Sequence, residues 1–226
     1  MLAILTALES EAKEILQKVT IEKKEQKTFC EIFHIKYEDK KAILAVMGVG
    51  KVLAAMTTQF VLDNYPVTTL LNCGTGGGVE GEASLGETYL IEKCCQYDFD
   101  VSPFDRQTIK IGQLPRRESV FMHLHTPDSF KKVFELSCLA TGDRFDDSDE
   151  LVEFIKSNFN CPIRDMEGGA IAQVAEANNI PLVMLKGVSD YVGKNSVSMF
   201  ADHKGNFEKI LAKVSDNIKL IMSIEG

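Results

Sequence analysis

Predominantly apolar runs alternate with helical segments along nearly the whole chain, and this alternation narrows the possible folds more than any other feature. "VTTLLNCG" and "PLVMLKGVSD" show no period-two polar face, so strands built from them must be covered on both sides. "KVLAAMTTQFVLDNY" and "GGAIAQVAEANN" read as helices stopped by Pro66 and Pro181, since proline cannot continue a helix. "LAILTA" leads into an amphipathic helix from about Glu9 to Val19, with Ala12, Ile15 and Leu16 on one face. "CEIFHIKY" and "KAILAVMGVG" form paired strands around the turn "EDKK". "ETYLIEKCC", "SVFMHLH", "ELSCLATG" and "NCPIRDME" are further strands, a helix lies near Asp147 to Asn158, and a long helix closes the chain. The expected fold is α/β: a single-domain three-layer α/β/α sandwich with a central mixed β-sheet, spanning residues 1–226.

Charge and composition exclude several functions. The chain has 33 acids against 25 Lys and Arg, a net charge of -8, and no basic block to neutralise a row of phosphates. Nucleic acid is not an expected partner. No apolar run approaches the roughly 18 to 20 residues needed to span a bilayer, and Glu9 interrupts the N-terminal apolar stretch. A soluble, cytoplasmic protein is expected. The six cysteines, at 30, 73, 94, 95, 138 and 161, include no CxxC pair; they are expected as reduced thiols, without disulfides or a metal. His123 and His125 could face the same way on a strand, but no Cys, Asp or Glu stands near at ligand spacing. Neither metal nor cofactor is expected.

Ligands in α/β sheets sit beyond the carboxyl ends of the strands. There the chain places "LESEA", "MGVGK", "GTGGG", "TGDRFDD", "DMEGG" and "SDYV". "GTGGG" reads as a loop closing a strand, a ligand cradle or a tight turn with equal warrant, because no Lys-Ser/Thr follows it as in a P-loop. Glu9 and Glu11 fit simple capping of a helix start, and Asp190 fits an N-cap.

Together and in order, "ILTALESEA", "MGVGKVLAA", "LLNCGTGGGV", "DVSPF", "GQLP", "TGDRF", "DMEGGAIAQVA" and "VSD" resemble the nucleoside phosphorylase and nucleosidase superfamily. Within it the chain is similar to the 5′-methylthioadenosine/S-adenosylhomocysteine nucleosidases. Phosphorylases of that superfamily bind phosphate with arginines at places occupied here by Leu8-Glu9-Ser10-Glu11 and Asn72; carboxylates repel phosphate and can activate water.

The resemblance implies hydrolysis of a purine N-ribosidic bond, with a related hydrolase of the futalosine kind, a phosphorylase or a non-catalytic nucleoside binder as alternatives. It gives Asp190 the protonation of the base, Glu11 the activation of water and Glu167 the ribose hydroxyls. Met166 packs on the ribose, Thr75 keeps a hydroxyl near the water, Ser189 stands beside Asp190, Phe145 stacks on the base and the backbone of Asp146 reads its edge. Leu8, Val49 and Phe200 form an apolar slot for the 5′ group, closed by Val101, Phe104 and Pro115 of a second subunit, so a homodimer is implied. Three departures stand out: Gly168-Gly169 suggests a loose helix start, Lys186 replaces the usual arginine, and Asp146 replaces an apolar residue.

Overall fold

A computed structural model describes residues 1–105, 107–145, 148–193 and 204–224. In chain order its elements begin with β1 (Leu2–Thr6), α1 (Glu9–Gln17), β2 (Thr20–Gln26), β3 (Glu31–Tyr37), β4 (Lys40–Val46), α2 (Lys51–Asn64), β5 (Thr69–Gly78) and β6 (Thr88–Gln96). After a long irregular segment with one 3-10 turn come β7 (Met122–His123), α3 (Asp128–Lys131), β8 (Glu135–Thr141), α4 (Asp149–Phe159), β9 (Ile163–Asp165), α5 (Gly168–Ala177) and β10 (Leu182–Tyr191). The last helices are α6 (Lys204–Asp216) and α7 (Ile218–Ile221).

The strands make one mixed sheet with helices on both faces, as the apolar runs require. Alternation along β1 sorts its side chains between two cores. Ala3 and Leu5 pack with Ala54 and Val61 of α2 and Ile171 of α5. Leu2 and Ile4 face the other way, against Ala12 and Ile15 of α1 and Val214 and Ile218 from the last two helices. A third cluster, with Leu151, Ile155 and Phe159 of α4, covers β6 and β8.

Half of the sheet closes on itself. β5 pairs with β10 in parallel and with β9 antiparallel; β10 pairs with β6, β6 with β8, and β8 with β9. β7 adds to β6, and the other strands extend from β5 in the order β1, β4, β3, β2. Apolar pattern alone does not reveal this closure, because either edge of a buried strand can pair.

Three sequence expectations need correction, and one strand was not foreseen. "GTGGG" is not a loop: β5 runs through Gly78, paired along Gly74–Gly78 with β10. Glycine is required there by crowding, since a Cβ would lie 2.6 Å from the Arg164 carbonyl oxygen at Gly76 and 2.4 Å from Val192 at Gly77. The unforeseen strand is β2, the charged stretch "TIEKKEQ", an exposed edge that among the described residues pairs with β3 alone; its charges suit an edge exposed to water. "SVFMHLH" contributes only the two residues of β7. Cys138 and Cys161 form a disulfide with a Cα–Cα distance of 4.8 Å, because parallel pairing of β8 and β9 brings together residues 23 apart in sequence. Cys30, Cys73, Cys94 and Cys95 are free and buried, and burial pushes the thiols of Cys73 and Cys95 up to about 12.

Helix α6 lies against β10 at a position that tolerates no side chain. A Cβ on Gly187 would sit 2.1 Å from Ile210 Cγ2 and 2.7 Å from Cγ1. Gly187→Ala should therefore destabilise the protein by about 1–3 kcal/mol through overpacking, seen as a lower urea midpoint. In an Ile210→Ala background the same change should be much milder; equal losses in both backgrounds would refute this account of the contact.

Candidate active site

The site assembles where β5, β9, β10 and the starts of α1 and α5 converge. Glu11 belongs to the first turn of α1, and its carboxylate folds back over the helix start. Its Oε2 accepts from the main-chain N–H groups of Ala7 at 2.9 Å and Leu8 at 3.0 Å. That is the return half of a capping box. The other oxygen, Oε1, accepts from Thr75 N at 2.8 Å and Thr75 Oγ1 at 3.0 Å on β5. Glu11 is thus both a helix cap and a cavity residue, whereas Glu9, two positions earlier, is exposed.

Asp190 reaches the site through an irregularity. The β10–β5 register passes from Val188 opposite Gly76 to Asp190 opposite Gly77, leaving Ser189 as the extra residue. Such a bulge re-aims side chains, and both Ser189 and Asp190 line the same cavity. The Ser189 hydroxyl donates to Asp190 Oδ1 at 2.6 Å.

Glu167 occupies the N-cap position of α5 without capping it. Its carboxylate turns away and accepts from Gly50 N at 2.9 Å, on the turn before α2. The capping falls to Asp165 and Thr141 instead. Asp165 Oδ2 accepts from Gly168 N at 2.7 Å, and Thr141 Oγ1 accepts from Gly169 N at 2.7 Å while donating to Asp165 Oδ1 at 2.6 Å. The helix start is tight rather than loose: a Cβ on Gly168 would lie 2.5 Å from Leu139 Cδ2 and one on Gly169 2.8 Å from Gln96 Cγ. The paired glycines let α5 press onto β8 and β6.

These groups surround a cavity of about 510 Å³. Of the residues singled out by sequence, Glu11, Glu167, Asp190, Met166, Thr75, Ser189, Leu8, Val49 and Phe145 line it. Val49 and Phe145 are 48% and 56% exposed, at its rim. Asp146 and Phe200 lie outside the described residues. Val101, Phe104 and Pro115 do not line this cavity; they sit in the segment after β6, where Phe104 is 88% exposed. Sequence reading missed Arg144 and Arg164, which also line it. Arg144 lies inside "TGDRF", beside a residue already singled out; Arg164 was hidden because only pairing of β9 with Gly77 aims it here.

Electrostatics set the character of the site. Burial first, then the neighbouring Asp165 carboxylate, raise Glu167 to about 7, against the opposing pull of Lys186 and of the Gly50 N–H. Lys186, on β10, meets Asp165 Oδ2 at 2.8 Å in a pair whose side chains are 2% and 1% exposed. Burial alone would lower the lysine, but Asp165, Glu167 and Glu11 outweigh it and raise it.

A sequence profile of the Phosphorylase superfamily matches residues 1–222. The chain belongs to that superfamily. Its similarity runs to the nucleosidase branch: the 5′-methylthioadenosine/S-adenosylhomocysteine nucleosidase of Bacillus subtilis (strain 168) is 30% identical over 203 residues, 86% of this chain and 87% of that one. Among solved structures, the Helicobacter pylori enzyme of the same name superposes with a TM-score of 0.87 at 22% identity, covering 97% of each chain. Futalosine hydrolase of Helicobacter pylori superposes with a TM-score of 0.86, also at 22% identity and 97% of each chain. At that identity the two superpositions establish the common superfamily fold and leave chemistry to the cavity.

The raised Glu167 has a measurable consequence in this superfamily member. Unfolded, its carboxyl ionises near 4.5; folded, near 7. The folded state is therefore penalised progressively between those values, and fully above them. Replacing Glu167 by Gln removes the penalty. Relative to the wild type, the Glu167→Gln protein should gain roughly 1–3 kcal/mol of stability between pH 5 and pH 8, measured by urea unfolding at both. A difference that stays flat or falls with pH would contradict this account of the burial.

Proposed function

We propose that this protein hydrolyses the N-ribosidic bond of 5′-methylthioadenosine and S-adenosylhomocysteine, giving adenine with 5-methylthioribose or S-ribosylhomocysteine. The observation that carries the reading is the placement of Glu11 and Asp190 on one cavity, anchored two residues apart along β5. Glu11 is held at Thr75, while Asp190 lies 3.5 Å from where a Cβ of Gly77 would be. Thr75 and Gly77 are two strand residues apart, roughly 7 Å at ~3.3 Å each. A general acid and a water-activating base on opposite sides of a sugar need room of this order.

In the proposed mechanism Asp190 donates a proton to N7 of the purine. The C1′–N9 bond breaks with its electron pair passing into the base. Water attacks C1′ of the cation-like ribosyl group and yields its proton to Glu11. Glu167 in its anionic form accepts from the ribose 2′- and 3′-hydroxyls and favours the positive charge developing on the sugar. Met166 packs on the ribose, Phe145 stacks on the base and Leu8 with Val49 flanks the 5′ group. The similarity of the nucleosidase relative over 86% of this chain supports the substrate class.

A homodimer is part of the same proposal, with Val101, Phe104 and Pro115 of one protomer closing the 5′ slot of the other. It is supported by exposed apolar side chains: Phe104 at 88%, and Val52 and Met56, one helical turn apart on α2, at 68% and 46%. The charge-introducing pair Val52→Glu/Met56→Glu should give a monomer in sedimentation analysis; an unchanged sedimentation coefficient would remove α2 from the interface.

A second reading, a hydrolase of another 5′-substituted purine nucleoside, is favoured by the superposition on futalosine hydrolase of Helicobacter pylori, which is about as close as that on the nucleosidase. The deciding assay is base release in phosphate-free buffer from 5′-methylthioadenosine, S-adenosylhomocysteine, futalosine and inosine. Adenine release from the first two, unaffected by added phosphate, is expected. Release from futalosine alone would establish the second reading, and strict dependence on phosphate would replace hydrolysis by phosphorolysis. Glu11→Gln and Asp190→Asn should keep nucleoside binding and lower turnover by about a hundredfold or more; unchanged turnover in either would overturn the mechanism.

A further inference from the structure

We propose that Lys186 is a positioning residue: locked to Asp165 beneath the cavity, it holds the turn from β9 into α5, and with it the Glu167 carboxylate, in the form that grips a ribose diol. The inference rests on the assignment of Glu167 to the ribose. Lys186 is absent from the cavity lining and therefore acts through its neighbours rather than on substrate.

The geometry is a closed chain of bonds. Lys186 Nζ meets Asp165 Oδ2, the same oxygen that accepts from Gly168 N, and Asp165 Oδ1 is taken by the hydroxyl of Thr141, which itself caps Gly169 N. Every bond of this chain is buried, and it fixes the two residues on either side of Met166-Glu167. Asp165 ends β9 and Gly168 begins α5. Glu167 is thereby aimed at Gly50 N rather than at its own helix.

Charge makes Lys186 more than a strut. Among the described residues the buried ionisable acids and bases are Glu11, Asp165, Glu167 and Asp190 with one cation, Lys186. Glu167 is faced by Asp165 from β9, by Lys186 and Asp190 from β10, by Glu11 from α1, and by the Gly50 N–H ahead of α2. Arg164 and Arg144 line the same cavity, and Lys51 at the start of α2 is engaged by Asp98 at 2.7 Å. Asp165 raises Glu167 and Lys186 lowers it, so removing the lysine leaves both nearby carboxylates opposing ionisation of Glu167. Removing Lys186 and Asp165 together cancels the two effects.

The test uses the full chain with Lys186→Met, Asp165→Asn, the double variant and Lys186→Arg. Two readouts are taken: kcat/KM against pH for 5′-methylthioadenosine, and carbon-13 NMR titration of the glutamate carboxyls. The Glu167 signal is assigned by its loss in Glu167→Gln. In Lys186→Met the Glu167 midpoint should rise by about one pH unit or more, and kcat/KM at pH 6 should fall about tenfold further than at pH 9, chiefly through KM. Asp165→Asn should lower the midpoint. The double variant should return it toward the wild type, and Lys186→Arg should keep it. A Lys186→Met midpoint equal to that of the wild type, with activity reduced equally at every pH, would show a merely structural lysine and overturn the proposal. If Lys186→Met does not fold, Asp165→Asn and the double variant decide, and an unmoved midpoint in Asp165→Asn overturns it as well. The NMR titration needs no turnover. Shifted midpoints in a protein that releases no adenine would sink the proposed reaction and leave the hold of Lys186 on Glu167 standing.

Discussion

Among the described residues, four carboxyl groups are buried around one cavity, and a single buried lysine is set against them. Anions of one sign cannot be gathered in a low-dielectric interior unless donors reach them first. The fold meets that requirement mostly with main-chain N–H groups at the ends of its elements. Glu11 takes those of Ala7, Leu8 and Thr75, Glu167 that of Gly50, and Asp165 that of Gly168. Asp190 is met by the neighbouring Ser189 hydroxyl. Much of the local geometry follows: the bulge in β10, the turn before α2 and the bare helix start of α5 each bring donors to an acid or an acid to the cavity.

The glycines follow from the same requirement. For a main-chain N–H to reach a buried carboxylate, strands and helix starts must approach more closely than side chains permit. Gly74 lies against Glu11, Gly168 against Asp165, and Gly76 against the carbonyl of Arg164. Lys186 meets Asp165 Oδ2 at 2.8 Å inside the same crowded region. The sequence features that looked like departures from the family, Gly168-Gly169 and Lys186, belong to one packed network.

The layered α/β fold was legible because it depends on patterns local in sequence. Apolar runs mark β1, β4, β5 and β10, and prolines mark the ends of α2 and α5. The nine candidate residues found at the cavity were legible for a different reason: they lie near or beyond the carboxyl ends of strands or at helix starts, and their motifs occur in order. What escaped depends on pairing between distant segments. Closure of β5, β10, β6, β8 and β9 into a ring, the disulfide between Cys138 and Cys161, and the aim of Arg164 are set by register. "GTGGG" misled because glycine signals a turn as readily as a strand under crowding, and β2 escaped because an edge strand needs no apolar face.

Glu11 shows why the structural and chemical readings of such a residue need not compete. Its Oε2 closes the start of α1, and its Oε1 is held on β5, so the helix cap is also what fixes the carboxylate at the cavity. The bonds that stabilise the fold also supply the orientation that the proposed base requires, and the site does not have to hold a long flexible side chain in place by other means. The same economy applies at Asp165, which caps α5 and neutralises Lys186 with one carboxylate. In each case a group in a stabilising role is also placed by it, and the chemistry depends on where the backbone ends a strand or begins a helix.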